Sequence, residues 1–567
     1  DHSYDEALLL DIAGFVADLP PATLTSLVED LAGAGDALGR ATSRTVHDRS
    51  AFWRSRDAAH PTPVCTLLLN RRQHTLADPA GTDLQVSVAH SDGLGREVQR
   101  KTEAEPGPVP DGGPVAARRW IGSSWVVLDR AGDAAQTFEP FFSRTHRYEP
   151  DRRSGLATTV VRDPLRRVVG QLHPDGTWDK TVLEAWRQEQ WDGNDTVMVE
   201  DCRTDPVVGP ALRRVLGEEP DAYTSWRRQR LDGSVGTTAA EVAASQDAAV
   251  KAAALAGTPA VSLLDPGGRL VAAVADAGPE GKHVSRTALD QHGRPLAVTD
   301  PLGRRVLEQV SRSGGLRSGL DLSGHTLFRA SMDAGPHVTL PDVEGKPIRS
   351  RDARGVSLRW RYDALRRPTH LFATPPGGSE ALLQRWIYGE GVAGANAAGR
   401  VYRIYDGTGL LEHSHYDAQG NLTDVTRRFT RTHRGLPDWS AGAAESDPAT
   451  VATLAEPLLE AAAYRKRTWY DAIGRPVQST TPTTAGMQPC VLRRSFGAGG
   501  LLSGVHVWLH RADTPGSLLD LATADLRVLT GVSYDEHGQV LRRERGNGTV
   551  TTYRYDRLIN LGPQIIR

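Results

Sequence analysis

Cysteine is scarce in this chain. Cys65, Cys202 and Cys490 are odd in number and far apart, which excludes a disulfide framework and any zinc-ligand spacing. Long apolar runs are also missing, and without a stretch of 18 or more apolar residues no helix of the usual length spans a bilayer. Neither charge sign is in excess: 67 basic against 69 acidic residues leave -2, so no whole-chain field draws the protein to nucleic acid or an anionic membrane. The start, Asp-His-Ser-Tyr-Asp-Glu, has no basic region, no signal-type core and no initiating Met, which points to a piece excised from a longer polypeptide. Catalytic signatures are missing as well, namely G-x-S-x-G, G-x-x-x-x-G-K-S/T and H-E-x-x-H. Apolar residues reach only 39%, too few for several thick cores.

What the chain has in quantity is turn formers and flat side chains. Its 57 Gly and 35 Pro suit many short strands, and its 12 Trp and 13 Tyr supply faces on which strands stack. The stretch DVEGKPIRSRDARGVSLRWRYDALRRP at 342–368 sets the rhythm. Asp342 and Gly345 are three apart, as are Asp352 and Gly355, and Asp363 begins a third unit. Asp at the first position of a four-residue turn accepts backbone hydrogen bonds ahead of it, and Gly at the fourth tolerates the left-handed conformation that lets a strand restart. Between the last two reversals Val356, Leu358, Trp360 and Tyr362 alternate with Ser357, Arg359 and Arg361, the period of a strand with one buried face.

The unit recurs at Asp265/Gly268, Asp290/Gly293, Asp300/Gly303, Asp321/Gly324, Asp406/Gly409, Asp417/Gly420, Asp471/Gly474 and Asp535/Gly538, commonly as Tyr-Asp followed by Gly-Arg-Pro or Gly-Asn-Leu. Steps of 10, 11 and 21 residues mean one strand per step and one hairpin per double step, an internal repeat that overrides a domain count from length. Asp-x-x-Gly at Asp11, Asp30, Asp36 and Asp78 lacks that spacing and is background.

Four regions follow: a helical lead-in at 1–50, a β-rich region at 51–208, a helical insertion at 209–257, and a repeat strip at 258–567 with short helical patches. Residues 1 to about 47 read as helix, since Leu24, Leu27, Val28 and Leu31 are helically spaced behind Pro20 and Pro21. The Ala-rich stretch 241–255 stops at Gly257 with Pro259 beyond, as a helix does. Breaks at 447–464 and 515–529 read as further helices covering sheet edges or faces.

Several residue groups imitate chemistry. Gly389, Gly391 and Gly394 satisfy G-x-G-x-x-G, yet 401–405 reads as a strand where a helix N-terminus would have to meet a pyrophosphate. His413 and His415 share a strand face without a third ligand at metal spacing, which favours a surface pair. Asp192 and Asp195 read as caps of a tight loop rather than an acid–base couple. Arg427, Arg428 and Arg431 read as a solvated face, and Trp120, Trp125, Trp360, Trp386, Trp469 and Trp508 as packing rather than sugar platforms. Asn194, Asn421 and Asn547 lie in glycosylation-type triplets that carry no meaning in a bacterial source. No catalytic, cofactor-binding or metal-binding residue is assigned, and no cofactor is expected.

The segments SVAHSDGLGREVQRKTEAEPGPV (87–109), RRWIGSSWVVLDRAGD (118–133), FEPFFSRTHRYE (138–149) and TWDKTVLEAWRQEQWDGNDTV (177–197) resemble the B component of Tc insecticidal toxin complexes. So do GTPAVSLLDPGGRL (257–270), AGRVYRIYDGTG (398–409), HYDAQGNL (415–422), WYDAIGRPVQSTTP (469–482) and the stretch 534–556. The words run in family order over about 45–556. Tyr-Asp repeats alone would indicate only the broad RHS/YD superfamily, whereas EAEPGP and WDGNDTV are similar to the toxin component's middle and C-terminal RHS region.

The resemblance implies a mainly β fold: a spiral antiparallel RHS/YD-repeat sheet with small helical insertions, forming part of a hollow cocoon wall. It implies a structural, non-enzymatic role in a secreted bacterial virulence complex, encapsulating an unfolded toxic polypeptide before translocation. The implied partners are a C-component RHS core with the enclosed toxin polypeptide and, indirectly, a pore-forming A component, without nucleic acid or membrane insertion. The family's N-terminal domain and channel-contacting propeller are not recognised here, nor is the self-cleaving core segment of the C component, and 558–567 departs from the pattern. A YD-repeat cell-surface adhesion or carbohydrate-binding module is the alternative. A hydrolase on a β scaffold would need a carboxylate pair facing one cleft, which the sequence does not display.

Overall fold

The computed structural model describes residues 16, 18–39, 41–72, 84–109, 113–219, 223–236, 238–311, 317–555 and 564–566. The first six residues, the Asp11 and Asp78 turns and most of 558–567 lie outside them. Strand accounts for 43% and helix for 14%, which makes the protein mainly β as expected.

The first sheet orders its strands Ser43–Asp48, Val64–Arg71, Leu84–Ser91, Glu97–Ala104, Arg119–Gly122 and Phe141–Ser143, all antiparallel. Val64–Arg71 alternates strictly, burying Cys65, Leu67, Leu69 and Arg71. Helices Pro21–Asp30 and Ala34–Leu38 cover that face with Leu27, Leu31 and Leu38. The helical reading therefore ends early. Ser43–Asp48 is a strand, because Arg44, Val46 and Asp48 fall on its buried side at period 2.

Lys101 and His90 also lie deep in this sheet. Lys101 is fully buried, paired with Glu149 and 4.4 Å from the Phe141 ring centroid. Burial, reinforced by the Lys101 charge, pushes His90 down to about 4. A histidine depressed in the fold contributes stability above its unfolded value and loses it as pH falls. Between pH 6.5 and 4 the loss amounts to about 3 kcal/mol. Unfolding titrations of the parent and of His90→Phe should show a fall in that window for the parent and a flatter profile for the variant.

From Val126–Leu128 to Gln564–Ile566 the strands form one antiparallel strip in sequence order, with Phe141–Ser143 in the first sheet and Val310–Ser311 and Arg317–Ser318 paired apart. Among the described residues the two end strands do not pair with each other, so the strip is open. It is also bent. Strands spaced about 4.8 Å apart would put Val491–Phe496 roughly 100 Å from Val126–Leu128 in a flat sheet. Yet Glu105, a short way before that first strand, packs against Gly497, and Arg72 Nη1 donates to the Phe496 carbonyl at 3.4 Å.

Exposed area tells the same story. A compact protein of 61.3 kDa exposes roughly 20,000 Å²; this one exposes 31,724 Å². Val356, Leu358, Trp360 and Tyr362, expected to bury one face, are each only half-buried. Among the described residues none of the four belongs to a core cluster. Along the strip the two larger core clusters of the described residues form under insertions. Helix Gly209–Leu216 lays Val208 and Leu212 on Val161, Val169, Leu172 and Trp178, while Trp439 and helix Pro448–Ala455 cover Phe372, Leu382, Ile387, Tyr405 and Leu410.

The expected Ala-rich helix spans Ala239–Ala253, opened by a reciprocal Thr238–Glu241 capping box. The other two breaks are shorter than read. After Pro448–Ala455 a strand already begins with Leu459–Tyr470, and 515–529 holds one 3-10 turn, Leu521–Thr523, before the strand Leu526–Tyr534. Ladder partners on both sides recruit residues that local composition left ambiguous.

Candidate functional site

The repeat is built from one hairpin joint. At Asp265, Asp290, Asp300, Asp321, Asp342, Asp352, Asp417, Asp471 and Asp535 the carbonyl accepts the amide of the Gly three residues on, at 2.9–3.2 Å. The Asp amide donates to the carbonyl of the fourth residue on, at 2.8–3.1 Å. Each of these glycines has φ between 73 and 90°. This is a type I turn closed by a left-handed residue, the three-residue hairpin loop with a bulge, and the ladder slips by one at Tyr362, Tyr416, Tyr470 and Tyr534. Arg366, at φ 59°, takes the glycine's place in the unit begun by Asp363.

Asp406/Gly409 is different. The two residues face each other across Gly407 and Thr408, and Gly409 has φ 136°, so this is a two-residue hairpin and not a member of the repeat.

Sequence reasoning missed the fifth residue of the joint. The Asp side chain takes the amide of that residue on one oxygen and, where the residue is Arg, its Nε on the other: Arg269 at 2.8 Å and Arg294, Arg304, Arg367 and Arg475 at 2.7 Å. The same clip holds Asp92 to Arg96 and Asp163 to Arg167, outside the recognised rhythm. The Arg269 side chain and nearby backbone amides hold Asp265 down to about 2. Such clips are complete above the ordinary carboxylate range and open as pH falls toward 2.

A tyrosine just before the turn, followed by Asp except at Tyr388-Gly389, laces one edge of the strip. The Tyr362 hydroxyl donates to the Pro347 carbonyl at 2.8 Å, Tyr388 to Pro368 at 3.1 Å, and Tyr416 to Val401 at 2.7 Å. Tyr470 reaches Leu422 at 3.1 Å, Tyr534 reaches Leu502 at 2.6 Å, and Tyr555 reaches Val540 at 3.0 Å. Every acceptor is the residue just after the preceding turn on that edge. Side chains reach the other way too: Lys346 Nζ to the Arg366 carbonyl at 2.9 Å, Gln419 Nε2 to Ala472 at 2.7 Å, and Arg475 Nη1 to Gly500 at 3.1 Å.

The lacing skips one turn, where Phe496 and Gly497 replace Tyr-Asp. There the first sheet docks: a Cβ on Gly497 would stand 1.8 Å from Glu105 Oε1, and one on Gly500 2.8 Å from Gln85 Nε2. Gly497→Asp restores the Asp-x-x-Gly spacing but evicts Glu105. Limited proteolysis of this variant should cut between the first sheet and the strip, sparing the strip itself.

The remaining sequence candidates separate. Gly389, Gly391 and Gly394 lie in a loop followed by the strand Val401–Asp406, and a Cβ on Gly389 would meet Ala397 at 2.3 Å, so the loop is closed on itself. His413 Nδ1 faces the Tyr416 hydroxyl at 2.8 Å and His415 Nδ1 faces Thr423 at 2.8 Å, each on its own partner, with a bulge between them. No group of three metal-ligating side chains occurs among the described residues. Asp192 accepts the Asn194 amide at 2.7 Å, and Asp195 accepts the Thr258 amide at 2.9 Å, tying together both ends of the helical insertion. Arg427 pairs with Asp406 at 2.7 Å and Arg428 with Glu456 at 2.7 Å. Trp120, Trp469 and Trp508 are buried, while Trp125, Trp360 and Trp386 are half-buried. Cys65 and Cys202 are free and buried, their thiols pushed up to about 12 by desolvation.

The described residues form an open, bent strip of laced hairpins. No family model matches the chain. It is 24% identical over 315 residues to toxin subunit YenC1 of Yersinia entomophaga and 26% identical over 257 residues to toxin subunit YenC2, covering 53% and 42% of this chain. It spans under a third of those curated relatives, 30% and 24% of their lengths. Its fold matches the crystal structure of TcdB2-TccC3 with a TM-score of 0.71 over 97% of this chain, at 20% identity and over 24% of that chain. The Photorhabdus luminescens Tc holotoxin pore matches with 0.66 over 88% of this chain and 21% of that one, at 21% identity. The chain is homologous to the Yersinia entomophaga toxin subunits, and its fold is that of the Tc toxin RHS region. No helix of the described residues is long and apolar enough to cross a membrane.

Proposed function

We propose that this chain is a wall segment of a Tc-type toxin shell, which encloses an unfolded toxic polypeptide until a translocation channel receives it. The observation that carries this reading is the curl of the strip, which brings Glu105 against Gly497. Enclosure keeps exposed apolar segments of a cargo away from one another and so prevents their aggregation. The wall's work is mechanical, and none of its residues performs covalent chemistry.

Its partners are a C-component RHS core carrying the cargo and, through the assembled shell, a pore-forming A component. The assembly acts as a secreted complex. Negative-stain imaging of the intact polypeptide with its partner, together with protease challenge, tests the reading. A hollow particle with density inside and a protected cargo are expected. A solid particle, or cargo cut as fast as free polypeptide, overturns it.

A further inference from the structure

Arg349 and Arg351 on strand Pro347–Arg351, and Arg359 and Arg361 on strand Ser357–Tyr362, project from one face of the strip, with Arg349 directly opposite Arg359 in the ladder. Like charges set opposite each other weaken a sheet. Compensation is thin. Glu380 accepts from Arg359 Nε at 2.9 Å, and its carboxyl is held low by that bond first and by the charges of Arg361 and Arg349 as well. Arg349, Arg351 and Arg361 are exposed, and among the described residues no ion pair or hydrogen bond engages any of their three side chains.

The adjoining strand Pro368–Thr374, where Phe372 stands opposite Arg359 and His370 opposite Arg361, adds no negative charge. The Phe372 ring carries the Arg359 guanidinium at 4.0 Å and that of Arg361 at 5.0 Å, and stacks on His370 at 5.7 Å. Arg385 lies buried against His370 and donates to the Glu445 carbonyl at 2.5 Å. Burial, then the charges of Arg385, Arg361 and Arg359, push His370 down to about 3, so it stays neutral at physiological pH.

The neighbouring strand Gly335–Pro341 completes the surface. Val338 stands opposite Arg351 and Leu340 opposite Arg349, and they are 49% and 53% exposed. Cations two residues apart on one strand are roughly 7 Å apart, the distance between alternate residues of an extended chain. We propose that this face binds an acidic segment of polypeptide in extended form, its alternate carboxylates meeting the arginines beside Val338 and Leu340. Polypeptide fits better than single-stranded nucleic acid, because the aromatic ring of this face is only 5% exposed and offers bases no platform. The inference stands apart from enclosure, since it concerns what the open face recognises.

The test titrates the 567-residue chain into a labelled peptide with Glu at every second position and Leu between, read by fluorescence anisotropy. Affinity should fall at least about tenfold with the matching Gln peptide or with the triple variant Arg349→Gln, Arg351→Gln, Arg361→Gln, and should weaken with added salt. Equal affinity for the Glu and Gln peptides, or an unchanged triple variant, overturns the proposal. Tighter binding of a single-stranded oligonucleotide of equal charge overturns it in favour of nucleic acid. Because the variant relieves repulsion at exposed positions, its thermal midpoint should match or exceed the parent's. A lowered midpoint would make the arginines structural and overturn the proposal too.

Discussion

Replacing Gly409 with valine should cost about 3–5 kcal/mol and unpair the hairpin Val401–Asp406/Gly409–Tyr416, the largest loss from any single turn substitution considered. Two causes add. The residue sits at φ 136°, where a β-branched side chain is strained, and its Cβ would lie 2.1 Å from the Arg428 carbonyl oxygen, which belongs to the backbone of the next strand and cannot swing away. Gly355→Val and Gly474→Val, at φ 83 and 80°, meet only side-chain atoms, Pro376 Cγ at 3.3 Å and Asn421 Oδ1 at 3.6 Å. Strain alone sets their cost, about 1–3 kcal/mol. Thermal unfolding of the three variants side by side checks the order. If Gly409→Val melts with the other two, the separate geometry of the Asp406 hairpin is wrong.

Removing the lacing should be the largest cumulative effect. Phenylalanine at Tyr362, Tyr388, Tyr416, Tyr470 and Tyr534 keeps every ring and deletes five of the edge hydrogen bonds, each worth about 1 kcal/mol. The sites share no partner, so the losses add to about 5 kcal/mol in the combined variant. Tyr464, whose ring meets Phe429 at 5.4 Å, is the control: Tyr464→Phe should change stability by no more than about 0.5 kcal/mol. A combined variant that unfolds like the control would show that the hydroxyls are as well served by water.

Much of this architecture is legible in the sequence because it is local. The Asp-x-x-Gly joint closes within five residues, so Asp342/Gly345 or Asp471/Gly474 can be read without knowing what surrounds them. The same locality misleads at Asp406, where identical spacing makes a two-residue turn because Asp406 and Gly409 themselves pair across it. The lacing is hidden for the opposite reason. Tyr470 finds Leu422, 48 residues earlier, only because two strands and an insertion return to the same edge. The arginine face was half visible, since Arg359 and Arg361 alternate with Leu358 and Trp360, but Arg349 facing Arg359 is a matter of register that one strand's sequence does not carry. The half-burial of Trp360 was not foreseen, because alternation announces two faces without saying whether anything covers either one.

The open ends of the strip govern how it should come apart. With each strand held only by its two neighbours and a few caps, the molecule resembles a zip more than a block, and loss of order has two free places to start. Deuterium should therefore enter fastest at the terminal strands and more slowly inward, slowest where Trp439 and Pro448–Ala455 clamp the sheet. Lengthening either end with further strands would raise protection there first, so the polypeptide gains its durability from what it is joined to.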